Sequence, residues 1–88
     1  MHFLEKDIIV TNVHGLHVRP AAEFVRLASK YDSSVLLVKD NEAVDGKSII
    51  AILSLGINNG TTIKLVVEGE DAEIAFEVLK KFLEDVSE

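Results

Sequence analysis

An α+β fold, one antiparallel sheet with helices packed on a single face, is predicted by three features of this 88-residue chain. Residues 61–68 alternate, with Ile63, Leu65 and Val67 on one side and Thr62, Lys64, Val66 and Glu68 on the other, the period of a half-buried strand. Two longer stretches repeat apolar residues at helical spacing: Ala21, Phe24, Val25, Ala28 and Tyr31, then Ala72, Ala75, Phe76, Leu79, Phe82, Leu83 and Val86. Turn signals divide the chain in the order β-α-β-β-α-β-α, which suits such a sheet.

The first strand is read over residues 3–10, which close on an Ile8-Ile9-Val10 run, with His2 a solvated residue before it. Thr11-Asn12 opens a loop. Proline is tolerated only in the first helical turn, so Pro20 pins the start of the first helix near Val18. That helix is expected over residues 18–31. Its outer face carries Arg19, Glu23, Arg26 and Lys30 as a solvated stripe, in which Arg19 pairs with Glu23 for only ~0.3–0.5 kcal/mol. Asp32-Ser33-Ser34 breaks it. Val35-Leu36-Leu37-Val38 reads as a buried strand, Asp40-Asn41 as a turn, and residues 42–45 as a short antiparallel edge strand.

A second helix of about two turns is expected over residues 49–55, with Ser48 as its N-cap and Gly56 as its C′ residue. It is apolar almost all round, more than a short helix on a small sheet buries. Part of it is therefore expected to stay exposed as a partner surface. A buried helix or even a strand fits the same pattern. Asn58-Asn59-Gly60 marks the turn into the last strand. After Gly69, acidic Glu70, Asp71 and Glu73 lie in or near the first turn of the final helix, where the dipole favours them, and Glu77 with Lys81 forms an i, i+4 pair.

Length bounds the rest. Residues 1–88 read as one domain, with a radius of gyration of roughly 12 Å. Such a chain buries about 60–65% of its unfolded surface, enough for one core and too little for a deep enclosed site, so its chemistry belongs on the surface. The net charge of −6 is concentrated in residues 57–88, which carry three Lys or Arg against eight Asp or Glu. That balance argues against a nucleic-acid partner. There is no cysteine, no apolar run long enough to span a bilayer, and no signal-peptide pattern in residues 1–7, so a cytoplasmic protein without membrane contact is expected.

The chemistry-bearing stretch is the loop-to-helix junction at His17. An N-cap position puts this imidazole beside unpaired backbone N–H groups and the positive end of the helix dipole, with the Arg19 guanidinium one step inside. Such a junction binds anions. The histidine adds a nitrogen nucleophile that the helix N-terminus biases toward its neutral form, which suggests a histidine that itself becomes phosphorylated. A plain surface histidine fits the spacing too. His14 lies close by in sequence and reads as a loop residue without a chemical role.

Gly15-Leu16-His17-Val18-Arg19-Pro20-Ala21-Ala22 resembles the active-site signature of the HPr family, the histidine-containing phosphocarriers of the bacterial sugar phosphotransferase system. Asp45-Gly46-Lys47-Ser48-Ile49-Ile50 resembles that family's regulatory-serine segment, at the expected separation. At the position of His14 the family more often has a small hydroxyl or amide residue, a departure that touches how the loop is hydrogen-bonded. The resemblance covers nearly the whole chain. It implies an HPr-like open-faced sandwich, four antiparallel strands with three helices on one face, and places the starts of the first and second helices near each other.

By that resemblance, phosphoenolpyruvate-charged enzyme I passes a phosphoryl group to Nδ1 of His17, and the group moves on to sugar-specific IIA domains. Arg19 and the Val18 amide stabilise it and Pro20 sets the helix start. Ser48 becomes the site of an ATP-dependent serine kinase and its phosphorylase, and Ile49, Ile50, Ile52, Leu53 and Arg26 the partner patch. No metal or cofactor is implied; the chain is a monomeric carrier rather than a self-sufficient enzyme. Three other readings stand beside this one: a purely regulatory adaptor that docks a transcription regulator through Ser48, a nitrogen-branch phosphotransfer paralogue, and a small-molecule-binding module of similar element order.

Overall fold

The structure, a computed structural model, describes residues 2–12 and 15–85; His14 and Val86, both read above, lie outside the described residues. The elements run β1 (His2–Ile9), α1 (Val18–Ala28), β2 (Ser34–Lys39), β3 (Glu42–Asp45), α2 (Ile49–Ser54), β4 (Thr62–Gly69) and α3 (Ala72–Glu84). The expected order β-α-β-β-α-β-α is the observed one. All pairings are antiparallel in one four-stranded sheet of order β1-β4-β2-β3, and the radius of gyration is 11.5 Å.

The alternation read in β4 sorts the sheet into two faces. Ile63, Leu65 and Val67 are buried, and the register sets Ile63 against Ile8 of β1 and Leu65 and Val67 against Leu37 and Val35 of β2. The opposite face is open, with Phe3, Ile9 and Leu36 exposed. β2 is therefore not buried on both sides as its apolar run suggested: Val35 and Leu37 point into the core and Leu36 points out. A period of two obliges this of any strand in a sheet covered on one face.

Asp40 and Asn41 join β2 to β3 with φ of 51° and 69°. Two consecutive left-handed residues make the hairpin turn whose twist matches that of the strands, and Asp and Asn tolerate the conformation.

The helices bring their apolar stripes to the covered face. Ala21, Phe24 and Ala28 of α1 and Ala72, Ala75, Phe76, Leu79 and Leu83 of α3 are buried, and the rings of Phe24 and Phe82 meet at 6.2 Å. α1 ends at Ala28, three residues before the expected end. Lys30 and Tyr31 donate to Leu27 and Ala28, three residues back, so the helix tightens into a turn there. The helix pair on α3 joins Lys80 to Glu84 at 3.1 Å, in place of the expected Glu77 and Lys81. His2 is exposed, with Nδ1 3.6 Å from the Glu73 carboxylate.

Asp71 was expected as a charge favoured by the dipole of α3, and it does more than that. Its carboxylate makes no side-chain cap to its own helix. It accepts instead from the main-chain N–H groups of Asp32 and Ser33, at 2.9 and 3.0 Å, and from the Ser33 hydroxyl, tying the α1–β2 turn to the start of α3. The Ser33 hydroxyl and the Asp32 N–H hold this carboxyl below its ordinary pKa.

Candidate functional site

His17 is the N-cap of α1, with an extended backbone (φ −77°, ψ −171°), and its carbonyl accepts the first helical hydrogen bond from Ala21 at 2.8 Å. Its imidazole is exposed and does not cap the helix. An N-cap normally spends its side chain on the helix's free N–H groups. Here the ring stays available, and among the described residues nothing accepts from the N–H groups of Val18 and Arg19. Pro20, which has no N–H, occupies the third position of α1, inside the first turn that tolerates it.

The loop before His17 rests on the segment after α2. Leu16, buried, donates its N–H to the Ile57 carbonyl at 2.9 Å. Gly15 has φ +61°, and a Cβ on it would lie 2.7 Å from that same carbonyl. Only glycine fits both the conformation and the gap. On the other side of the loop, the Asn59 side chain donates to the Asn12 carbonyl at 2.9 Å, and Gly60 donates to Val10 at 2.7 Å. A shallow hollow of about 290 Å³ opens beside His17, walled by Leu16, Val18, Leu53, Gly56, Ile57 and Asn58. Gly56, Ile57 and Asn58 were not foreseen as site residues; the Asn58-Asn59-Gly60 turn signal marked the segment but not where it packs.

Arg19 is exposed and, contrary to the expected pairing, has no hydrogen bond or ion pair among the described residues. Glu23 turns one turn forward to Arg26 instead, in a two-pronged pair with Nε to Oε1 at 3.3 Å. The hydrogen bond lowers the Glu23 pKa and raises that of Arg26. With Glu23 engaged by Arg26, the Arg19 guanidinium is left without a partner among the described residues at the helix N-terminus. Arg26, read as a partner contact, is already engaged with Glu23.

Ser48 is the N-cap of α2, its Oγ accepting from the Ala51 N–H at 3.2 Å, and Gly56 at φ +63° ends that helix as expected. The surrounding patch is narrower than read. Ile50 is 79% and Ile49 37% exposed, but Ile52 is fully buried against the core, so it is not part of any docking surface. Leu53 is partly buried and belongs to the hollow beside His17.

The relation between the two motifs also needs correcting. The end of α2, through Leu53 and Gly56, borders His17. Its beginning lies at the far end of α1, where Lys47 Nζ donates to the Tyr31 carbonyl at 2.8 Å. The helices run in opposite senses, so the starts of α1 and α2 are apart and Ser48 and His17 occupy opposite ends of the pair.

The open-faced sheet with an exposed histidine at a helix N-terminus is shared with the phosphocarriers of the phosphotransferase system, to which this chain is similar. The model of the family described as the PTS HPr component phosphorylation site matches residues 4–85. Phosphocarrier protein HPr of Borreliella burgdorferi is 38% identical over 85 residues, covering 97% of this chain and 99% of the relative. The HPr-like protein Crh of Halalkalibacterium halodurans is 42% identical over 81 residues, covering 92% and 96%. The crystal structure of HPr from Bacillus anthracis superposes with a TM-score of 0.91 at 37% identity, covering 96% of this chain and all of that one. The chain belongs to the HPr family.

Proposed function

We propose that His17 accepts a phosphoryl group from phosphoenolpyruvate-charged enzyme I and hands it to sugar-specific IIA domains. A ring nitrogen of His17 attacks phosphorus, the bond to the donor's histidine breaks, and the donor nitrogen keeps the electron pair; the onward step repeats this with His17 as the leaving group. Transfer of this kind depends on in-line approach and on stabilising the charge of the moving group. The N–H groups of Val18 and Arg19, unpartnered among the described residues, and the Arg19 guanidinium supply that charge stabilisation. An open, shallow hollow suits a carrier, since each partner must reach the phosphorus in turn.

The observation that carries this reading is the unused N-cap side chain of His17. A transfer assay tests it: with phosphoenolpyruvate, enzyme I and a IIA domain, this chain is expected to label IIA, and His17→Ala is expected to abolish labelling. Labelling that persists with His17→Ala contradicts the assignment. The chain acts here as a monomeric carrier and not as a self-sufficient enzyme, with light scattering as the check on its state.

A second role is regulatory and is favoured by Ser48 standing beside exposed Ile49 and Ile50. Phosphorylation of Ser48 by an ATP-dependent kinase leaves an anion at a helix start, where the dipole favours it, and sets about two negative charges beside an apolar surface. That changes which partner docks there, a transcription regulator being the expected class. The intact His17, Arg19 and Pro20 set has no use in a purely regulatory adaptor, which favours the carrier as the main role. Whether sugar-branch or nitrogen-branch partners are served is decided by which IIA domain is labelled.

A further inference from the structure

Lys39, at the end of β2, is half-buried and turns its ammonium away from the sheet's open face and onto the end of α2. Its Nζ donates to the carbonyl of Leu55 at 2.9 Å and to that of Gly56 at 3.2 Å. These carbonyls belong to the residues where a helix has run out of N–H partners, and a cation there satisfies them and opposes the dipole. Gly56 leads directly into Ile57, whose carbonyl holds the Leu16 N–H at 2.9 Å, and Leu16 precedes His17. Gly56, Ile57 and Asn58 are also the wall of the hollow beside His17.

The path from Lys39 to His17 is thus short and made of identified contacts. Ile57 is buried, with 1% of its surface exposed, so the segment is held by packing below it; the direction of its carbonyl depends on how the chain leaves α2. That exit is the left-handed turn at Gly56, at φ +63°, which Lys39 fixes from both sides by binding the carbonyl before the turn and the carbonyl of the turn itself. α2 has only six residues; the N–H groups of Leu55 and Gly56 close its end on the Ile52 and Leu53 carbonyls at 3.1 and 3.2 Å, and Lys39 takes the Leu55 and Gly56 carbonyls beyond them.

We infer that Lys39 is a positioning residue for His17, holding the end of α2 so that the Ile57 carbonyl presents one fixed acceptor to the loop that carries the histidine. It touches neither the phosphoryl group nor a partner in this role. The inference rests on the reading of His17 as the phosphoryl acceptor.

Its test compares the full chain with Lys39→Met, which keeps the stem and loses both donors, Lys39→Gln, which shortens the reach and loses the charge, and Lys39→Arg, which keeps a cation. Two quantities are read. The first is amide hydrogen exchange at Leu16, with Leu65 in the sheet as the reference for overall stability. The second is phosphorylation by charged enzyme I, resolved into kcat and KM.

Loss of a charged hydrogen-bond donor is expected to speed Leu16 exchange about tenfold in Lys39→Met and Lys39→Gln while Leu65 is unchanged. kcat is expected to fall several-fold with KM constant, and Lys39→Arg to recover most of both. Leu16 exchange at the wild-type rate in Lys39→Met, or acceleration of Leu65 in step with Leu16, overturns the inference. If wild type accepts no phosphoryl group, the carrier reading fails, and the exchange comparison still decides whether Lys39 positions the loop.

Discussion

The main-chain N–H of Leu16 donates to the carbonyl of Ile57 at 2.9 Å, which makes the segment following α2 the support on which the residue before His17 rests. The histidine's own helix contributes its N-terminal N–H groups, but the height and direction of the loop are set by a stretch about forty residues further along the chain. The site is therefore a junction of two segments, and its sensitivity to substitution follows from how closely they meet.

Gly15→Ala tests that closeness. The new Cβ meets the Ile57 carbonyl and the Asn58 backbone at 2.7 and 2.8 Å, at a φ of +61°. Backbone atoms give way less readily than side chains, and a left-handed alanine costs roughly 1 kcal/mol by itself. A loss of about 2–3 kcal/mol in denaturant unfolding is expected, with phosphoryl transfer reduced in whatever fraction remains folded.

The two isoleucines of α2 should behave oppositely. Ile52 is fully buried, and Ile52→Ala is expected to cost about 2–4 kcal/mol by leaving a cavity. Ile50, 79% exposed, is expected to tolerate Ile50→Ser within about 0.5 kcal/mol while weakening any partner that docks beside Ser48. Equal destabilisation by both substitutions in thermal unfolding contradicts the assignment of faces.

Ser48→Ala removes the acceptor for the Ala51 N–H and is expected to cost about 1 kcal/mol. Ser48→Asp retains a capping oxygen and should unfold near the wild-type midpoint. Either variant should still accept a phosphoryl group at His17, because Ser48 lies at the other end of the α1–α2 pair.

Acid stability is expected to depend on Asp71. Its folded pKa is depressed by the Ser33 hydroxyl and the Asp32 and Ser33 N–H groups, relative to an ordinary value of 3.8. A depressed carboxyl stabilises the fold fully above that ordinary value, and the contribution is lost as pH falls through the lower folded one. Thermal midpoints measured from pH 6 down to pH 2 should fall less steeply for Asp71→Asn than for wild type, with the two curves converging at the acid end. Parallel curves contradict this.

Much of this was legible in the sequence because periodicity and turn chemistry are local. The alternation of β4, the stripes of α1 and α3, the Asp40-Asn41 hairpin, the Ser48 cap and the His17-to-Pro20 junction all follow from residues within a few positions of one another. Long-range choices were not. Glu23 has cations both one turn behind and nearly one turn ahead, and spacing does not decide between Arg19 and Arg26. Ile52 and Ile50 look alike until the neighbour of α2 is known. Lys39, Ile57 and Asp71 act through contacts across the fold, and no pattern near them announces the partner.

The central claim is that His17 carries the phosphoryl group, and intact-mass measurement after incubation with phosphoenolpyruvate and enzyme I addresses it directly. One added phosphoryl group, labile in acid, stable in base and absent from a folded His17→Ala, is the predicted result. A wild-type chain that stays unmodified beside a competent donor, or a His17→Ala chain that gains the same adduct, contradicts it.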